Sequence, residues 1–541
     1  MQCISADVLA RYYRLKGADV VMISGSDEHG TATEVEAIKL GISPKELTDE
    51  NHARIIELFK RWGLSFDNYT RTENPVHKEF VQHHLMKIYN RGYIFTQETE
   101  MLYCETCDRF LADRYVEGKC PYCGYERARG DQCESCGRLL ETTLLIDPYC
   151  AICRSKPVIR KTTHWYFDLP RFSKEISAFL KGNKQLPENA RNFSLNWVKE
   201  GLKPRAVTRD VSWGIVAPFP GAENKKVYVW VEAVLGYVSA TIEYFKNRQE
   251  SDRWKEYWFN REAKTFYFIG KDNIPFHTII FPALLLASDE GYRLPWNVST
   301  TEFLQFKGEK ASKSQRVGIW IDEALELFPA DYWRYYLMST RPETKDSNFT
   351  WKLFIEKVNG DLNDTLGNFI HRTLTFINVQ FNGEVPILKA PDDYAKQILI
   401  TLREKVMAVA DEIENCRLQS AANLMISISR MGNQYLNEKE PWNLIKKERD
   451  KAANIFNVSA QIAKALAIVS TPFIPFAAEE IWKTLNLPGN VQEQKWNEAL
   501  TSLPPDQKIA KPKPLFNKID VEEEELGKRL EKVRSSIERS T

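Results

Sequence analysis

The pattern of hydrophobic and polar residues at the start of the chain predicts a helix followed by a buried strand. Apolar residues recur at helical spacing over residues 5–16, with Ser5 as the helix cap and Gly17 as its stop. The apolar run 18–24 then predicts a parallel strand, which opens into the glycine-bracketed polar loop 25–30. Ligands bind at such loops in open α/β sheets. This loop is therefore the first candidate site.

The same strand-then-loop pattern returns in the middle of the chain. Residues 227–237 start as a strand and turn helical, and Trp230, Ala233 and Tyr237 fall at i, i+3 and i+7 on one helix face. Residues 265–277 form a further strand that runs into a glycine loop and a helix. Parallel strands alternating with helices predict an α/β domain.

The second half of the chain is dominated by helical periodicity. Residues 322–337 predict one helix, and the following sequence to about residue 487 consists almost wholly of amphipathic helices, which predicts a helical bundle. Within it, Asn368 and Arg372 lie one turn apart on the same face, and Trp442 follows a proline suited to the first position of a helix.

Composition places the protein among multidomain globular proteins. Its 541 residues exceed what one core accommodates, and 43% hydrophobic with 27% charged residues is ordinary for a soluble chain. We expect no membrane span and no export signal, hence a cytoplasmic protein. The net charge of +1 means that any nucleic acid must be bound by local patches rather than by a global field.

Eight of the ten cysteines form four Cys-x-x-Cys pairs between residues 104 and 153. Two such pairs supply the four thiolates of a tetrahedral structural zinc, so one or two zinc ions are predicted, with no position left open for catalysis. The spacing leaves the pairing undecided. In the nested arrangement the inner pairs and the outer pairs each share an ion; in the sequential one, neighbouring pairs do. The pairs are Cys104 with Cys107, Cys120 with Cys123, Cys133 with Cys136, and Cys150 with Cys153.

Several motifs, in one order along nearly the whole chain, resemble those of the methionyl-tRNA synthetases, a family of class I aminoacyl-tRNA synthetases. Residues 306–314 resemble the family's Lys-Met-Ser-Lys-Ser loop, with Ala311 in place of methionine. Residues 25–30 are similar to its Gly-Ser/Thr-Asp-Glu-His-Gly loop. Residues 227–237 match its Tyr-Val-Trp-x-Asp-Ala-Pro-x-Gly-Tyr, with Glu232 for aspartate and Val234 for proline. Residues 268–272 match its Phe-Ile-Gly-Lys-Asp.

The resemblance implies a role for each matching residue. Lys310 and Lys313 would be catalytic, acting on the phosphates of ATP, which enters with Mg²⁺. Further ATP contacts would come from Gly270, Asp272 and Ser312. Methionine would be bound by Asp27, Arg209, Trp230, Ala233, Tyr237, Phe276 and His277. Asn368, Arg372 and Trp442 would read the anticodon of tRNA(Met). For the cysteines, the resemblance favours the nested arrangement, with the inner set as the first zinc site.

The implied architecture is a Rossmann-type parallel sheet split by a zinc-binding connective peptide and followed by an all-α anticodon-binding bundle. We expect a monomer, with docking to a separate tRNA-binding protein as an open alternative. The expected divisions are 1–90 and 204–300 for the two halves of the Rossmann domain, 91–203 for the connective peptide, 301–355 for the region of the lysine loop, 356–500 for the bundle, and 501–541 for a proline-rich linker and a final helix.

The front end departs from the family pattern. None of the eight histidines stands in the His-x-Gly-His spacing that, with its strand, precedes the first helix in the family. Without that strand we expect a gap in the sheet, and we hypothesise an N-terminal truncation arising from a start placed too far downstream. Two alternatives to a methionine–tRNA ligase remain: a truncated paralogue acting only as a tRNA-binding zinc protein, and a class I synthetase of another amino-acid specificity.

Overall fold

The computed structural model describes residues 1–133, 135–136, 138–306, 308–310 and 317–540. The first part of the chain contains four helices and two strands among these residues. The elements are α1 (Gln2–Leu15), β1 (Ile23–Ser26), α2 (Thr31–Leu40), α3 (Pro44–Arg61), β2 (Asn68–Arg71) and α4 (Pro75–Asn90). β1 and β2 are parallel, with Ile23 opposite Asn68 and Ser26 opposite Arg71.

A long antiparallel ribbon follows and carries the cysteine-rich segment at its far end. Its two arms, β3 and β9, pair from Ile94 opposite Phe167 to Tyr103 opposite Val158. The elements are β3 (Ile94–Cys104), β4 (Arg109–Phe110), β5 (Val116–Lys119), β6 (Asp131–Gln132), β7 (Leu139–Leu140), β8 (Ile146–Cys150), β9 (Val158–Phe167), α5 (Ser173–Gly182) and α6 (Glu188–Glu200). The cysteine-rich end of the ribbon packs against Val35 of α2 and against Val211.

The chain then returns to α/β structure. The elements are β10 (Arg205–Ala206), β11 (Thr208–Arg209), β12 (Lys226–Val227), α7 (Val229–Asn247), α8 (Trp254–Trp258), β13 (Phe266–Gly270), the π-helical turn Phe276–Ile280 leading into α9 (Phe281–Ser288), β14 (Asn297–Thr301), β15 (Leu304–Phe306), β16 (Glu309–Lys310), α10 (Ile321–Leu327), α11 (Ala330–Ser339) and β17 (Ser347–Phe349). β13 and β14 are parallel, and β15 lies between β16 and β17.

The remainder is a helical bundle closed by a returning helix. The elements are α12 (Trp351–Glu356), the π-helical segment Lys357–Gly367, α13 (Asn368–Gln380), α14 (Asp393–Glu414), α15 (Leu418–Lys439), α16 (Pro441–Leu444), α17 (Arg449–Ser470), α18 (Pro475–Thr484) and α19 (Glu523–Ser540). α17 is long and apolar enough to cross a membrane by length and composition alone. However, 83% of its most apolar window is buried inside the protein, as suits the central helix of a bundle.

The predicted gap is present in the parallel sheet. Within the described residues, β1–β2 and β13–β14 form two separate ladders with no pairing between them. Helix α7 bridges the two pairs, because its Tyr237 ring lies 5.0 Å from the Tyr267 ring of β13. α7 packs on β1 and β2, while α1 packs on β13. α1 also contributes Val8 and Tyr12 to the same hydrophobic core as the bundle, so it joins the α/β part to the helical part.

Four local predictions were wrong, each for a physical reason. Ser5 is not a helix cap, because the helix begins at Gln2 and the buried Ser5 hydroxyl accepts a hydrogen bond from Arg341. The first strand is Ile23–Ser26 rather than 18–24, since its partner β2 spans only four residues. β2 itself lies within residues 48–90, whose sequence pattern predicts helices with charged faces. The helix predicted over 322–337 breaks at Phe328, which the following proline holds in an extended conformation.

Candidate active site

The loop after β1 places Asp27 at the carboxyl end of the first strand pair. Gly25 is required there, since a Cβ atom would lie 2.9 Å from the Thr70 carbonyl oxygen. Gly30 has a φ of 95°, which favours glycine, and it precedes the first residue of α2. Asp27 is accessible to solvent although protein surrounds it. This enclosure and the nearby Glu232 carboxylate raise the pKa of Asp27 to about 7.

An aromatic group lies on the face of α7 predicted from the sequence. Trp230, Ala233 and Tyr237 are half-buried on α7. The Trp230 ring stacks on Phe276 with centroids 4.5 Å apart and planes inclined by 17°. The segments that follow β12 and β13 therefore meet at this ring pair, although they are distant in the sequence. A flexible thioether packs well against such rings.

His277 closes this group with a defined hydrogen-bonding pattern. Its Nδ1 lies 3.0 Å from the carbonyl oxygen of Asn273, which can only accept, so Nδ1 carries the proton. Nε2 then accepts from the Tyr237 hydroxyl at 2.8 Å. Burial lowers the pKa of His277 to about 4, so the imidazole is neutral. The aromatic group is therefore uncharged at His277.

A second histidine, His29, joins the two halves of the α/β part and was not singled out from the sequence. Its Nδ1 lies 2.9 Å from Oε1 of Glu232 on α7, and its Nε2 lies 2.7 Å from Oε2 of Glu73. Burial disfavours the charged ring, but hydrogen bonds and charges from these two carboxylates outweigh it and raise the pKa of His29. The only signal in the sequence is its place beside Asp27, because its partners lie far away along the chain.

Arg209 lies on β11, where the chain returns from the ribbon. Its guanidinium carbon lies 3.7 Å from the centroid of the Tyr228 ring, and its Nε lies 3.8 Å from a carboxylate oxygen of Asp113. The next residue, Asp210, accepts from Thr162 at 3.0 Å and pairs with Lys225. These contacts attach the ribbon to the strand that carries Arg209.

The candidate ATP residues are described only in part. A Cβ atom at Gly270 would lie 2.7 Å from a carboxylate oxygen of Asp272, so glycine lets this exposed carboxylate lie close against the backbone. Lys310 is the last residue of β16, and its backbone lies opposite Gln305 in the antiparallel pair of β15 and β16. Ser312 and Lys313 lie outside the described residues.

The eight paired cysteines form two clusters with the nested arrangement favoured above. In each cluster the four sulfur atoms lie within 4.8 Å of one another; the sets are Cys104, Cys107, Cys150 and Cys153, and Cys120, Cys123, Cys133 and Cys136. The backbone N–H of Cys107 donates to the sulfur of Cys104 at 3.3 Å. Four thiolates in each set suit zinc, and a complete sulfur set gives it a structural role.

The predicted anticodon residues meet at one face of the bundle. Asn368 and Arg372 line a cavity of about 560 Å³ between α13 and α15. The Arg372 guanidinium donates to the Asn437 side chain at 3.0 Å and lies 5.2 Å from the ring of Trp442. Sequence reasoning missed the polar ridge of α15 on the opposite wall, because polar residues on a helix normally indicate only a solvated face. Its lining residues are Arg430, Asn433, Gln434, Asn437 and Glu438.

Comparison with known proteins gives consistent matches over nearly the whole chain. Residues 1–374 match the family model described as tRNA synthetases class I (M), and residues 385–535 match the anticodon binding domain of methionyl tRNA ligase. The chain is 52% identical over 534 residues to a methionine–tRNA ligase of Thermofilum pendens, covering 98% of this chain and 93% of that protein. It is 51% identical to one of Korarchaeum cryptofilum, covering 99% and 94%.

Solved structures show the same fold at low sequence identity. A Mycobacterium tuberculosis methionyl-tRNA synthetase bound by methionyl-adenylate superposes with a TM-score of 0.79 at 21% identity, covering 95% of this chain and 96% of that one. The apo form of the enzyme from the same organism gives a TM-score of 0.73 at 20% identity.

Proposed function

The chain belongs to the methionyl-tRNA synthetases of class I, and from this premise we propose how its own residues share the ligation of methionine to tRNA. Asp27 receives the ammonium group of methionine. Trp230, Phe276 and Ala233 surround the thioether. The observation that carries this assignment is the hydrogen-bond chain from Tyr237 through His277 to Asn273. It holds an uncharged imidazole in one orientation at the end of the proposed methionine pocket.

In the first step an oxygen of the methionine carboxylate attacks the α-phosphorus of ATP, and the bond from that phosphorus to the bridging oxygen of pyrophosphate breaks. Lys310 and Lys313 stabilise the charge on the departing pyrophosphate, together with the Mg²⁺ that accompanies ATP. Gly270 and Asp272 hold the nucleotide. The terminal ribose hydroxyl of the tRNA then attacks the methionyl carbonyl carbon, and AMP leaves. No enzyme nucleophile is needed, because the protein positions the reactants and stabilises charge.

The bundle supplies selection of the tRNA. We propose that Asn368 and Arg372 bond to the edges of anticodon bases and that Trp442 offers a ring on which a base stacks. Zinc in the two cysteine clusters keeps the end of the ribbon folded and takes no part in the reaction. The enzyme works as a monomer in the cytoplasm, and light scattering of the purified chain tests the oligomeric state.

The experiment that tests this division replaces Lys313 with alanine. We expect Lys313→Ala to lower kcat for methionine-dependent ATP–pyrophosphate exchange by about tenfold to a thousandfold, with little change in the affinity for methionine, because the lysine acts on charge that develops in the transition state. The exposed Lys352 provides the matched control as Lys352→Ala. An equal loss of rate and of methionine binding would contradict the proposed role.

A further inference from the structure

The C-terminal helix α19 reaches back to the segment that follows the lysine loop. Arg534 is its point of contact. Its Nε lies 2.9 Å from Oε1 of Glu323, and its Nη2 donates to the carbonyl oxygen of Gly318. The Arg534 side chain is only 16% exposed and that of Glu323 4%. The Arg534 guanidinium therefore contacts both the Gly318 carbonyl and the Glu323 carboxylate, which lie just after the lysine loop in the sequence.

Glu323 also contacts the backbone at the start of α10. Its Oε2 accepts a hydrogen bond from the backbone N–H of Trp320 at 2.8 Å, which satisfies one of the free N–H groups at that helix end. Gly318 has a φ of 135°, so the chain turns there in a conformation that favours glycine. Arg534 therefore binds the turn at Gly318 directly and the backbone of Trp320 through Glu323.

The opposite side of α10 is held by the first part of the chain. The indole N–H of Trp62 donates to the Ile321 carbonyl oxygen at 3.0 Å, and Arg61 pairs with Glu326 at 2.7 Å. Before the loop, the backbone N–H of Gly308 donates to the Asn348 side chain at 2.9 Å. The segments on both sides of the loop are therefore tied to the rest of the protein, and on the exit side α19 shares that tie with the first part of the chain.

We propose that Arg534 is a positioning residue for adenylate formation: it fixes the exit of the lysine loop so that the loop's charges meet the pyrophosphate. This inference rests on the proposed role of Lys313. Misplacing a reacting group by about 1 Å can cost about a hundredfold in rate. A residue at the end of the bundle thereby influences a step at the ATP site without touching the substrate.

The test uses the full-length protein carrying Arg534→Gln, which keeps an NH2 donor group but loses the positive charge and the forked guanidinium. We expect kcat for ATP–pyrophosphate exchange to fall by about tenfold. The KM for methionine, the melting temperature and the rate of transfer from preformed adenylate should stay unchanged. Arg534→Lys, which keeps the charge, should recover part of the loss. The control is Arg529→Gln on the same helix, whose Nε pairs with Glu525 at 3.3 Å on the solvent side.

Two outcomes would overturn the inference. One is a rate for Arg534→Gln equal to that of Arg529→Gln; the other is a loss of rate that follows a fall in melting temperature. The double variant Arg534→Gln with Lys313→Ala adds a further check. If Arg534 acts through the loop, the double variant should have nearly the same exchange rate as Lys313→Ala alone. Normal exchange in Lys313→Ala would instead refute the proposed role of the loop, so the two failures can be told apart.

Discussion

A fully buried arginine, Arg334, joins the α/β part of the protein to the bundle, and its removal gives the sharpest test of this structure. Its Nη2 lies 2.6 Å from Oδ2 of Asp7 on α1, and neither side chain is exposed to solvent. The same guanidinium donates to the carbonyl oxygens of Pro472 at 2.9 Å and Phe473 at 3.0 Å, just before α18. The guanidinium also donates to the carbonyl oxygen of Trp62 at 3.3 Å, so three separate segments meet on this one side chain.

The proposed perturbation is Arg334→Leu, which removes the charge and the donors but keeps an apolar side chain. Asp7 would keep Arg11, whose Nε lies 2.8 Å away, and the backbone N–H of Ser65 at 2.8 Å. Asp7 would lose its closest cation, and the carbonyl groups of Pro472, Phe473 and Trp62 would lose the arginine as a donor. Breaking a buried ion pair in this way costs about 3–5 kcal/mol, so we expect a fall of that size in the free energy of unfolding.

The assay is unfolding in urea, monitored by tryptophan fluorescence. The free energy of unfolding is calculated from the midpoint, with the same dependence on urea concentration for all variants. The control is Arg417→Leu. Arg417 pairs with Glu412 at 2.7 Å at the surface, and its side chain is 48% exposed. Such a pair contributes about 0–1 kcal/mol. Equal midpoints for Arg334→Leu and Arg417→Leu would refute the reasoning.

The pH dependence supplies an independent check of the same pair. Burial opposes ionisation of Asp7, but the charges of Arg334 and Arg11 outweigh it and lower the pKa of Asp7. The contribution is therefore present above the pKa of an unfolded aspartate and is lost as the pH falls through the lower folded pKa. The difference between wild type and Arg334→Leu should shrink in acid, where the pair is broken in both proteins.

Three further predictions concern ligands. Because Asp27 has a pKa of about 7, the KM for methionine should rise as the pH falls below neutrality, and Asp27→Asn should remove that step from the profile. Cys153→Ser should cost one of two bound zinc ions, counted by metal analysis, with the inner cluster intact; loss of both would contradict two separate sites. Arg372→Ala should slow aminoacylation of tRNA by about tenfold to a hundredfold without affecting ATP–pyrophosphate exchange. Arg403→Ala on the exposed side of α14 is the control, and a loss of exchange would contradict the assignment.

The parts of the fold that could be predicted from the sequence are those fixed by local spacing. The four Cys-x-x-Cys pairs indicated zinc without any knowledge of the fold, since four thiolates close together have few other uses. The face formed by Trp230, Ala233 and Tyr237 followed from helical periodicity. β2 was missed because Asn68–Arg71 has no alternating apolar pattern, and only its pairing with β1 makes it a strand.

The buried charges could not be predicted, because their partners are distant in the sequence. A lone arginine such as Arg334 is expected at the surface, and nothing near it in the sequence points to Asp7. The same is true of His29, whose two carboxylates come from α7 and from the segment before α4. Such residues become recognisable only when the fold has brought their partners together.

The two arginines that link the bundle to the α/β part differ in what surrounds them, and this difference decides their roles. Removing Arg334 leaves Asp7 where no water can reach it, so the cost falls on stability. The Arg534 side chain is itself 16% exposed at the protein surface, so water can enter the position that it leaves beside Glu323. The protein should then stay folded while the segment after the lysine loop moves. A loss of rate without a loss of stability is therefore expected at Arg534 and not at Arg334.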